Sequence, residues 1–190
     1  QRKKESEAKG RLRGLGLCYY IESILGDPSE EAKVVFEEDG GVKIFVGTQS
    51  NGQGHETVFA QFLSDQTGIP TEKIIVVQGD SDLIPNGGGT GGSRSVTVQN
   101  NATLATVEKI IQSFSQYLSE KLEVDVEDIG FDDTSFRIKG SNYSPNVLEV
   151  AKMACEDLRF DLLKHSAKAT LDGRSFPNGA HFAEVEVDPN

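Results

Sequence analysis

The stretch VKIFVGTQSNGQGHETVFAQFLSDQTGIPTEKIIVV, residues 42–77, decides the fold class because its apolar pattern changes twice. VKIFV is rich in branched and aromatic residues, which is typical of a strand. The segment from His55 onward has a helical pattern, and Gly68 is predicted to end the helix ahead of Pro70. The apolar face of that helix consists of Val58, Phe59, Phe62 and Leu63. KIIVVQGD predicts a second strand, so the order is strand, glycine-rich loop, amphipathic helix, strand.

Further strands are predicted on both sides of this stretch. AKVVFEEDGGVKIFVG predicts two strands joined at residues 39–41, because glycine accepts the positive φ that a tight hairpin turn needs. GLGLCYYIESI (14–24) and the terminal HFAEVEVDPN also have strand composition. VDVEDIGFDDTSFRIKG predicts another hairpin. Its facing residues are Val126, Ile129 and Phe131 on one strand and Phe136 and Ile138 on the other.

Two more helices complete the predicted organisation. Residues 96–122 carry apolar side chains at steps of three and four, which predicts one long helix packed along one side. Those positions are Leu104, Val107, Ile111, Phe114 and Leu118. Ser144 and Pro145 are predicted to open a further helix, since serine caps free N–H groups and proline tolerates the first turn. Residues 159–180 have no regular pattern. The sequence therefore predicts an α+β fold with a mixed sheet and packed helices.

Composition excludes several classes of protein. The chain has 190 residues, 36% of them hydrophobic and 26% charged, which is typical of a globular domain. Its net charge of -11 argues against binding of nucleic acid, which requires clustered basic side chains. Cys18 and Cys155 lie far apart, so neither a zinc site nor a disulfide framework is predicted. The sequence has no apolar run long enough to cross a bilayer and no signal peptide, which favours a cytoplasmic location.

Two glycine-rich loops stand directly before helices, SNGQGHE before the first and NGGGTGGSRS before the long one. Unpaired N–H groups at a helix start attract anions, so both loops are candidate anion cradles, with a simple turn as the alternative. Gln49 and Gln53 present donors and acceptors suited to a heterocycle. Arg94 and the nearby hydroxyl groups suit a phosphate. His55 is open to three interpretations: a ligand, an acid-base group, or an ordinary first residue of a helix.

The residues alone indicate no complete catalytic group and no metal site. Neither loop matches a nucleotide-binding fingerprint, because no lysine follows the glycines and GxGxxG does not occur. Cys18 is predicted to be buried filler within a strand. Asp80 and Asp82 in GDSD are suited either to a cation or to a turn, in which aspartate bonds its own backbone. The pattern thus predicts a binder of a phosphorylated heterocycle.

At these loops the sequence resembles the large, molybdenum-cofactor-binding subunit of the molybdenum hydroxylases, the family of xanthine dehydrogenase, aldehyde oxidase and aerobic carbon monoxide dehydrogenase. The similarity is carried by an ordered series that covers nearly the whole chain: GRLRGLGLCYYIE, DGGVKIFVGTQSNGQGHETVFAQ, GIPTEKIIVVQGDSD, GGGTGGSRS and FPNGAHFAEVEVDP. The resemblance is strongest to the carbon monoxide dehydrogenase-like branch.

The resemblance implies which residues contact the cofactor. Gln53 and Gly54, with the adjacent His55 and Glu56, correspond to the loop against the pyranopterin. The phosphate or dinucleotide side is assigned to Gly92, Ser93, Arg94 and Ser95. No residue matches the family's catalytic glutamate, which lies near the end of the full subunit. No catalytic residue and no metal ligand is therefore assigned within this chain.

The resemblance also implies the setting in which the chain acts. The cofactor is molybdopterin, expected in its cytosine dinucleotide form, and the reaction is hydroxylation of a carbon centre of a small molecule with oxygen from water. Expected partners are the remainder of the large subunit and the iron-sulfur and FAD subunits or domains. Residues 1–12 are predicted to be a linker and residues 13–190 a C-terminally truncated subdomain, inactive alone. The alternative is a stand-alone cofactor carrier without redox catalysis.

Overall fold

The structure is a computed structural model that describes residues 1–189 and divides into two compact units. The core unit is Leu25–Gly173, and the terminal unit combines Gln1–Ile24 with the residues from Arg174 onward. The helices are α1 (Arg2–Ala8), α2 (His55–Thr67), α3 (Ser95–Leu122) and α4 (Val147–Glu156). The strands are β1 (Leu12–Ile21), β2 (Ser29–Phe36), β3 (Val42–Val46), β4 (Ile74–Val77), β5 (Ile129–Phe131), β6 (Phe136–Ile138), β7 (Lys164–Thr170) and β8 (Asn178–Val187).

The core unit contains a mixed four-stranded sheet in the order β4-β3-β2-β7. β3 and β4 are parallel, whereas β2 is antiparallel to both β3 and β7. The predicted hairpin is confirmed, and Gly40 takes a φ of 84° in its turn, a conformation that favours glycine. α3 packs against β2 and β7, and α2 packs against β4. The predicted α+β class with a mixed sheet and packed helices is thereby confirmed.

The second predicted hairpin is confirmed in its centre and wrong at its start. β5 pairs with β6 so that Ile129 lies opposite Ile138 and Phe131 opposite Phe136. Val126 instead begins a short 3-10 turn, Val126–Asp128, and is itself 39% exposed. The tight turn precedes the strand because Asp128 N–H donates to the carbonyl of Asp125 at 3.0 Å.

The predicted long helix α3 is confirmed, and Val107, Phe114 and Leu118 are buried as predicted, whereas the other two predicted positions are not. Leu104 is 38% exposed and Ile111 only partly buried. The buried stripe contains small and polar residues as well as large apolar ones. Its members include Val98, Ala102, Thr106, Val107, Ile110, Phe114, Tyr117 and Leu118. Thr106 belongs to the stripe because its hydroxyl donates to the carbonyls of Ala102 and Ala32, so an apolar count alone missed it.

The start of α4 differs from the prediction by two residues. Asn146, not Ser144, is the N-cap, and its side chain accepts the N–H of Glu149 at 2.9 Å. The Glu149 carboxylate accepts the N–H of Asn146 at 2.7 Å, which completes a capping box. The Ser144 hydroxyl donates to the carbonyl of Phe136 and so links the segment to β6 instead.

Replacing Asn146 with alanine is expected to lower the free energy of unfolding by about 1 kcal/mol, because an alanine side chain cannot accept the N–H of Glu149. Asn146→Asp is the matched control, since aspartate also accepts the N–H of residue 149. Urea unfolding followed by circular dichroism measures both variants. Equal stability of Asn146→Ala and the unaltered chain would show that the cap does not stabilise the helix.

The segment that had no predicted structure contains β7, which forms one edge of the main sheet. Its sequence, KHSAKAT, buries only alternate residues, namely His165 and Ala167, while lysines face outward. The His165 ring contacts Phe36 and Phe114 edge-on, and burial lowers its pKa below the ordinary value. A buried histidine and two small residues give too weak an apolar signal to predict a strand.

The terminal unit consists of α1 and the antiparallel pair of β1 and β8. The strands at both ends were predicted. Residues 1–12, predicted to be a linker, include α1, and the boundary at residue 12 stays a prediction. Arg13 bonds the carboxylates of Glu184 and Glu186, and hydrogen bonds from Ser6, Arg11 and Arg13 lower the pKa of Glu186 to about 2. Among the described residues, no helix has the length and apolar character needed to cross a membrane.

Candidate functional site

The candidate site lies where the parallel strands β3 and β4 end. Their register pairs Val42 with Ile74 and Phe45 with Val77, so both carboxyl ends meet at one edge of the sheet. The first loop (residues 47–54) connects β3 to α2, and the second loop (residues 78–94) connects β4 to α3. Ligands bind characteristically outside the carboxyl ends of such strands, where helix N-termini attract anions. The topology therefore brings both predicted loops to the end of the sheet where β3 and β4 finish, which is a favourable place for ligand binding.

The backbone of the first loop is accessible to an approaching group. A Cβ atom built on Gly52 or Gly54 would meet no atom within 4 Å. Gly54 has a φ of 84° and precedes α2 without a side-chain cap, so the side chains leave the first N–H groups of the helix uncovered. Gln53 is exposed, and its side-chain oxygen accepts the N–H of Asn51. This loop has the open, donor-rich character expected of an anion or heterocycle cradle.

His55, the first residue of α2, is buried without a hydrogen-bond partner. Its residue is 1% exposed, its ring centroid lies 4.8 Å from that of Phe59, and neither ring nitrogen is paired within residues 1–189. The Thr48 hydroxyl and the side-chain oxygen of Gln78 are also buried and unpaired there. Gln78 donates to the exposed Glu56 carboxylate at 2.5 Å. Because buried polar atoms are nearly always paired, the unpaired ring nitrogens of His55 indicate a place for a polar ligand.

The two loops contact each other directly. The N–H of Gly89 donates to the carbonyl of Gly47 at 3.3 Å. The Thr90 hydroxyl bonds both backbone groups of Gln49, accepting its N–H at 2.9 Å and donating to its carbonyl at 2.5 Å. A Cβ atom on Gly87 would lie 2.6 Å from the Gly47 Cα, so glycine is required at this crossing. The two predicted sets of site residues therefore lie on one joined pair of loops.

The residues predicted for the phosphate side lie at the junction of the second loop with α3. Gly92 accepts the N–H of Leu25 at 2.9 Å, and a Cβ atom there would lie 2.8 Å from the Leu25 Cβ. Ser93 is exposed and has a φ of 55°. Ser95 begins α3, and its hydroxyl lies 3.4 Å from that of Thr90. The hydroxyl of Ser95 is thus near the point where the loops meet.

Arg94 is buried, with its side chain directed into the protein. Its guanidinium donates to the carbonyls of Asp27 at 2.8 Å, Ser29 at 2.7 Å and Gly89 at 2.7 Å. It also forms an ion pair with Glu30 at 3.0 Å. All of these hydrogen-bond partners are internal to the protein, so the role of Arg94 in the structure is to hold the second loop in place. A direct contact between Arg94 and a phosphate stays a prediction.

Sequence reasoning missed Glu30 as a residue of the site. Its side chain is 1% exposed and accepts the N–H of Gly88 at 3.0 Å in addition to the Arg94 guanidinium. A signal was present in SEEAKVVF, where Glu30 shares the inward face of β2 with Ala32 and Val34. An acid on a buried strand face requires a cationic partner, and the buried arginine of the second loop is that partner.

A separate cleft of about 560 Å³ lies at the other end of the sheet, beside the turn between β2 and β3. Five carboxylates and two lysines line it: Glu37, Glu38, Asp39, Glu149, Glu156, Lys73 and Lys152. The excess of negative charge opposes an anionic ligand, so the cleft is less suited to a phosphate than the loops are. Across residues 1–189, no group of three or more His, Cys, Asp or Glu side chains is arranged to hold a metal ion.

Comparison with known proteins identifies the family of the chain. The profile of the molybdopterin cofactor-binding domain family matches residues 1–190. The carbon monoxide dehydrogenase large chain of Afipia carboxidovorans is 33% identical over 98% of this chain and 25% of its own length. The 6-hydroxypseudooxynicotine dehydrogenase complex subunit gamma of Paenarthrobacter nicotinovorans is 29% identical over 98% of this chain and 24% of its own length. The chain thus spans about a quarter of these relatives.

Solved structures show the same similarity in three dimensions. Carbon monoxide dehydrogenase from Oligotropha carboxidovorans superposes with a TM-score of 0.78 at 28% identity, covering 98% of this chain and 26% of that one. Quinoline 2-oxidoreductase from Pseudomonas putida 86 superposes with a TM-score of 0.74 at 25% identity, covering 99% and 26%. The family implied by the sequence motifs is confirmed, and the chain belongs to the molybdopterin cofactor-binding domain family of molybdenum hydroxylase large subunits.

Proposed function

We propose that the joined first and second loops bind the molybdenum cofactor for an oxidoreductase that hydroxylates a carbon centre. The observation that carries the proposal is His55, which is buried at the start of α2 with both ring nitrogens unpaired. An unpaired buried polar group costs about 1 to 3 kcal/mol, a cost that a bound polar ligand removes. The adjacent Gly52 and Gly54 leave the backbone open beside it.

The donors and acceptors of the first loop fit the pyranopterin side of the cofactor. A pterin presents ring nitrogens and a carbonyl group, which an amide side chain and backbone N–H groups recognise together. Gln53, Gly54, His55 and Glu56 would supply these contacts. The Glu56 carboxylate accepts a hydrogen bond from Gln78 at 2.5 Å, and it would accept a ligand N–H in addition. His55 would hold a pterin atom through whichever ring nitrogen faces it.

The second loop fits the phosphate side. Gly92, Ser93 and Ser95 lie where α3 begins, and N–H groups at a helix start favour negative charge. The Ser95 hydroxyl adds a neutral donor near the Thr90 hydroxyl. Arg94 would act from beneath the loop, since its guanidinium bonds the Gly89 carbonyl and the Glu30 carboxylate. The bound group would supply the redox chemistry, while these residues bind it, orient it and exclude water.

The wider setting follows from the family and from the length of the relatives. We place these residues within a longer large subunit, because the matched relatives are about four times as long as the aligned region. We further propose the cytosine dinucleotide form of the cofactor, iron-sulfur and FAD partners, a cytoplasmic location and a small-molecule substrate. The relatives named large chain or complex subunit support association with other subunits.

Replacing His55 with leucine is the sharpest test within the chain. Leucine is apolar and of similar size, so the variant loses no internal hydrogen bond and its unfolding free energy is expected to change by less than about 1.5 kcal/mol. Loss of one polar contact of about 1.5 to 3 kcal/mol is expected to speed loss of molybdenum and pterin about tenfold to a hundredfold. The measurement follows both during dialysis of the complete encoded protein.

The matched control is Leu63→Met, a volume-conserving change at a fully buried position of the same helix. Its cofactor should dissociate at the rate of the unaltered protein. If His55→Leu retains molybdenum and pterin as long as this control does, His55 is not a cofactor contact.

A further inference from the structure

A buried ion pair lies beneath both loops of the candidate site. The side chains of Glu30 and Arg94 are 1% and 3% exposed, and their charged atoms are 3.0 Å apart. Each partner makes further hydrogen bonds to the backbone. Arg94 donates to the carbonyl of Gly89 at 2.7 Å, and Glu30 accepts the N–H of Gly88 at 3.0 Å. Backbone groups of two adjacent residues in the second loop are therefore held by opposite members of one pair.

The same carboxylate controls the approach of the first loop. A Cβ atom on Gly47 would lie 2.2 Å from a Glu30 oxygen and 2.6 Å from the Gly87 Cα. The Gly47 N–H donates to the side-chain oxygen of Gln99 at 3.0 Å. Glu30 is thus packed under the crossing point of the loops, where no side chain can intervene.

Stability alone does not explain this arrangement. Burying a carboxylate and a guanidinium costs several kcal/mol per ion, and well-packed apolar residues usually stabilise a core as well or better. The pair instead satisfies directional backbone groups that an apolar side chain leaves unpaired. Charged hydrogen bonds of this kind fix the position of the groups they join.

We propose that Glu30 and Arg94 are positioning residues that hold the second loop against the first in the shape that receives the cofactor. This inference rests on the proposed function. Neither residue needs to touch the ligand: Arg94 acts through Gly89, and Glu30 acts through Gly88 and the close approach of Gly47. The Glu30–Arg94 pair supports the site from below, and the backbone of the two loops forms the binding surface of the site.

Three variants of the complete encoded protein, purified with its co-encoded subunits, test the proposal. Glu30→Gln keeps the shape but leaves the arginine charge unpaired, and Arg94→Lys keeps the charge but loses the planar fork. The double variant Glu30→Leu with Arg94→Met removes both charges, so neither charge is left buried without its partner. Leu118→Ala is the control, because it weakens the distant half of α3 without touching either loop.

Two readouts separate positioning from plain stability. Amide hydrogen exchange at Gly47, Gly88 and Gly89 is expected to speed at least about tenfold in all three pair variants and to stay unchanged in Leu118→Ala. Molybdenum and pterin should dissociate at least about tenfold faster from the same three variants. The double variant is decisive, since it is expected to lose loop protection and cofactor even where its urea midpoint matches the unaltered protein.

Other outcomes overturn the inference. A double variant of unaltered stability that keeps slow loop exchange would show that the pair does not shape the loops. Fast loop exchange with unaltered cofactor retention would show that the shape is not needed for binding. A complete, matured protein that holds no molybdenum or pterin even without substitutions would overturn the proposed function itself, and the unaltered protein alone reveals that case.

Discussion

Replacing Phe114 with alanine is expected to lower the free energy of unfolding of the core unit by about 3 to 5 kcal/mol. Phe114 is fully buried in the middle of α3, and its ring centroid lies 5.4 Å from that of Phe36, 6.3 Å from that of Phe136 and 5.6 Å from that of His165. Its removal leaves a cavity between the sheet, the second hairpin and the long helix. The loss includes both the burial of the ring and the contacts around the cavity.

Urea unfolding measures this effect, and Phe160→Ala is the matched control. Phe160 is 50% exposed, so Phe160→Ala is expected to lower the free energy of unfolding much less than Phe114→Ala does. A Phe114→Ala variant that loses less than about 1 kcal/mol would contradict the described core, because truncating a buried phenylalanine in a packed core typically costs about 3 to 5 kcal/mol.

Gly47→Ala is expected to destabilise the core unit by about 1 to 3 kcal/mol and to separate the two loops. The added Cβ would meet a Glu30 oxygen at 2.2 Å and the Gly87 Cα at 2.6 Å, and neither neighbour is free to move away. Glu30 is fixed by its pair with Arg94, and Gly87 belongs to the opposing backbone. The separated loops are expected to release the cofactor faster than the unaltered protein.

Gly91→Ala provides the comparison within the same pair of loops. A Cβ atom at Gly91 would meet nothing within 4 Å. The free energy of unfolding of Gly91→Ala should therefore stay within about 0.5 kcal/mol of that of the unaltered chain. Urea midpoints and amide exchange at Gly89 report both parts of the prediction. Equal behaviour of the two alanine variants would show that the loops do not meet as closely as described.

The elements with strong local signals were predictable from the sequence. α2 was predicted to within a residue because Gly68 ends it in a left-handed conformation, with a φ of 70°. The hairpin of β2 and β3 was predicted from its glycine turn, which takes a positive φ at Gly40. These features depend on neighbouring residues alone.

Most of the misses share a different physical cause, which is dependence on distant partners. The cap of α4 is the exception, because the capping box of Asn146 and Glu149 is local, while Ser144, the residue assigned to the cap, donates to the carbonyl of Phe136. Leu104 was predicted to be buried, but polar Thr106 fills the stripe through a bond to β2. β7 had no apolar run strong enough to predict a strand.

The candidate site shows the same division. The loops and their order were predicted, as was the family to which they belong. Their contact through Gly47 and Gly87, forty positions apart, follows only from the parallel pairing of β3 and β4. Arg94 was predicted to face a phosphate, whereas its observed bonds are to buried backbone and to Glu30. A charged residue next to a glycine-rich loop can therefore shape that loop as readily as line it.

Metal and pterin analysis of the complete encoded protein, purified with its co-encoded subunits from a host that loads a known relative, tests the central claim most directly. The account predicts molybdenum and pterin in stoichiometric amounts, with both lost faster from the His55→Leu variant than from Leu63→Met. A folded protein that contains neither, from a host in which the relative is loaded, would contradict the assignment of these loops as a cofactor site.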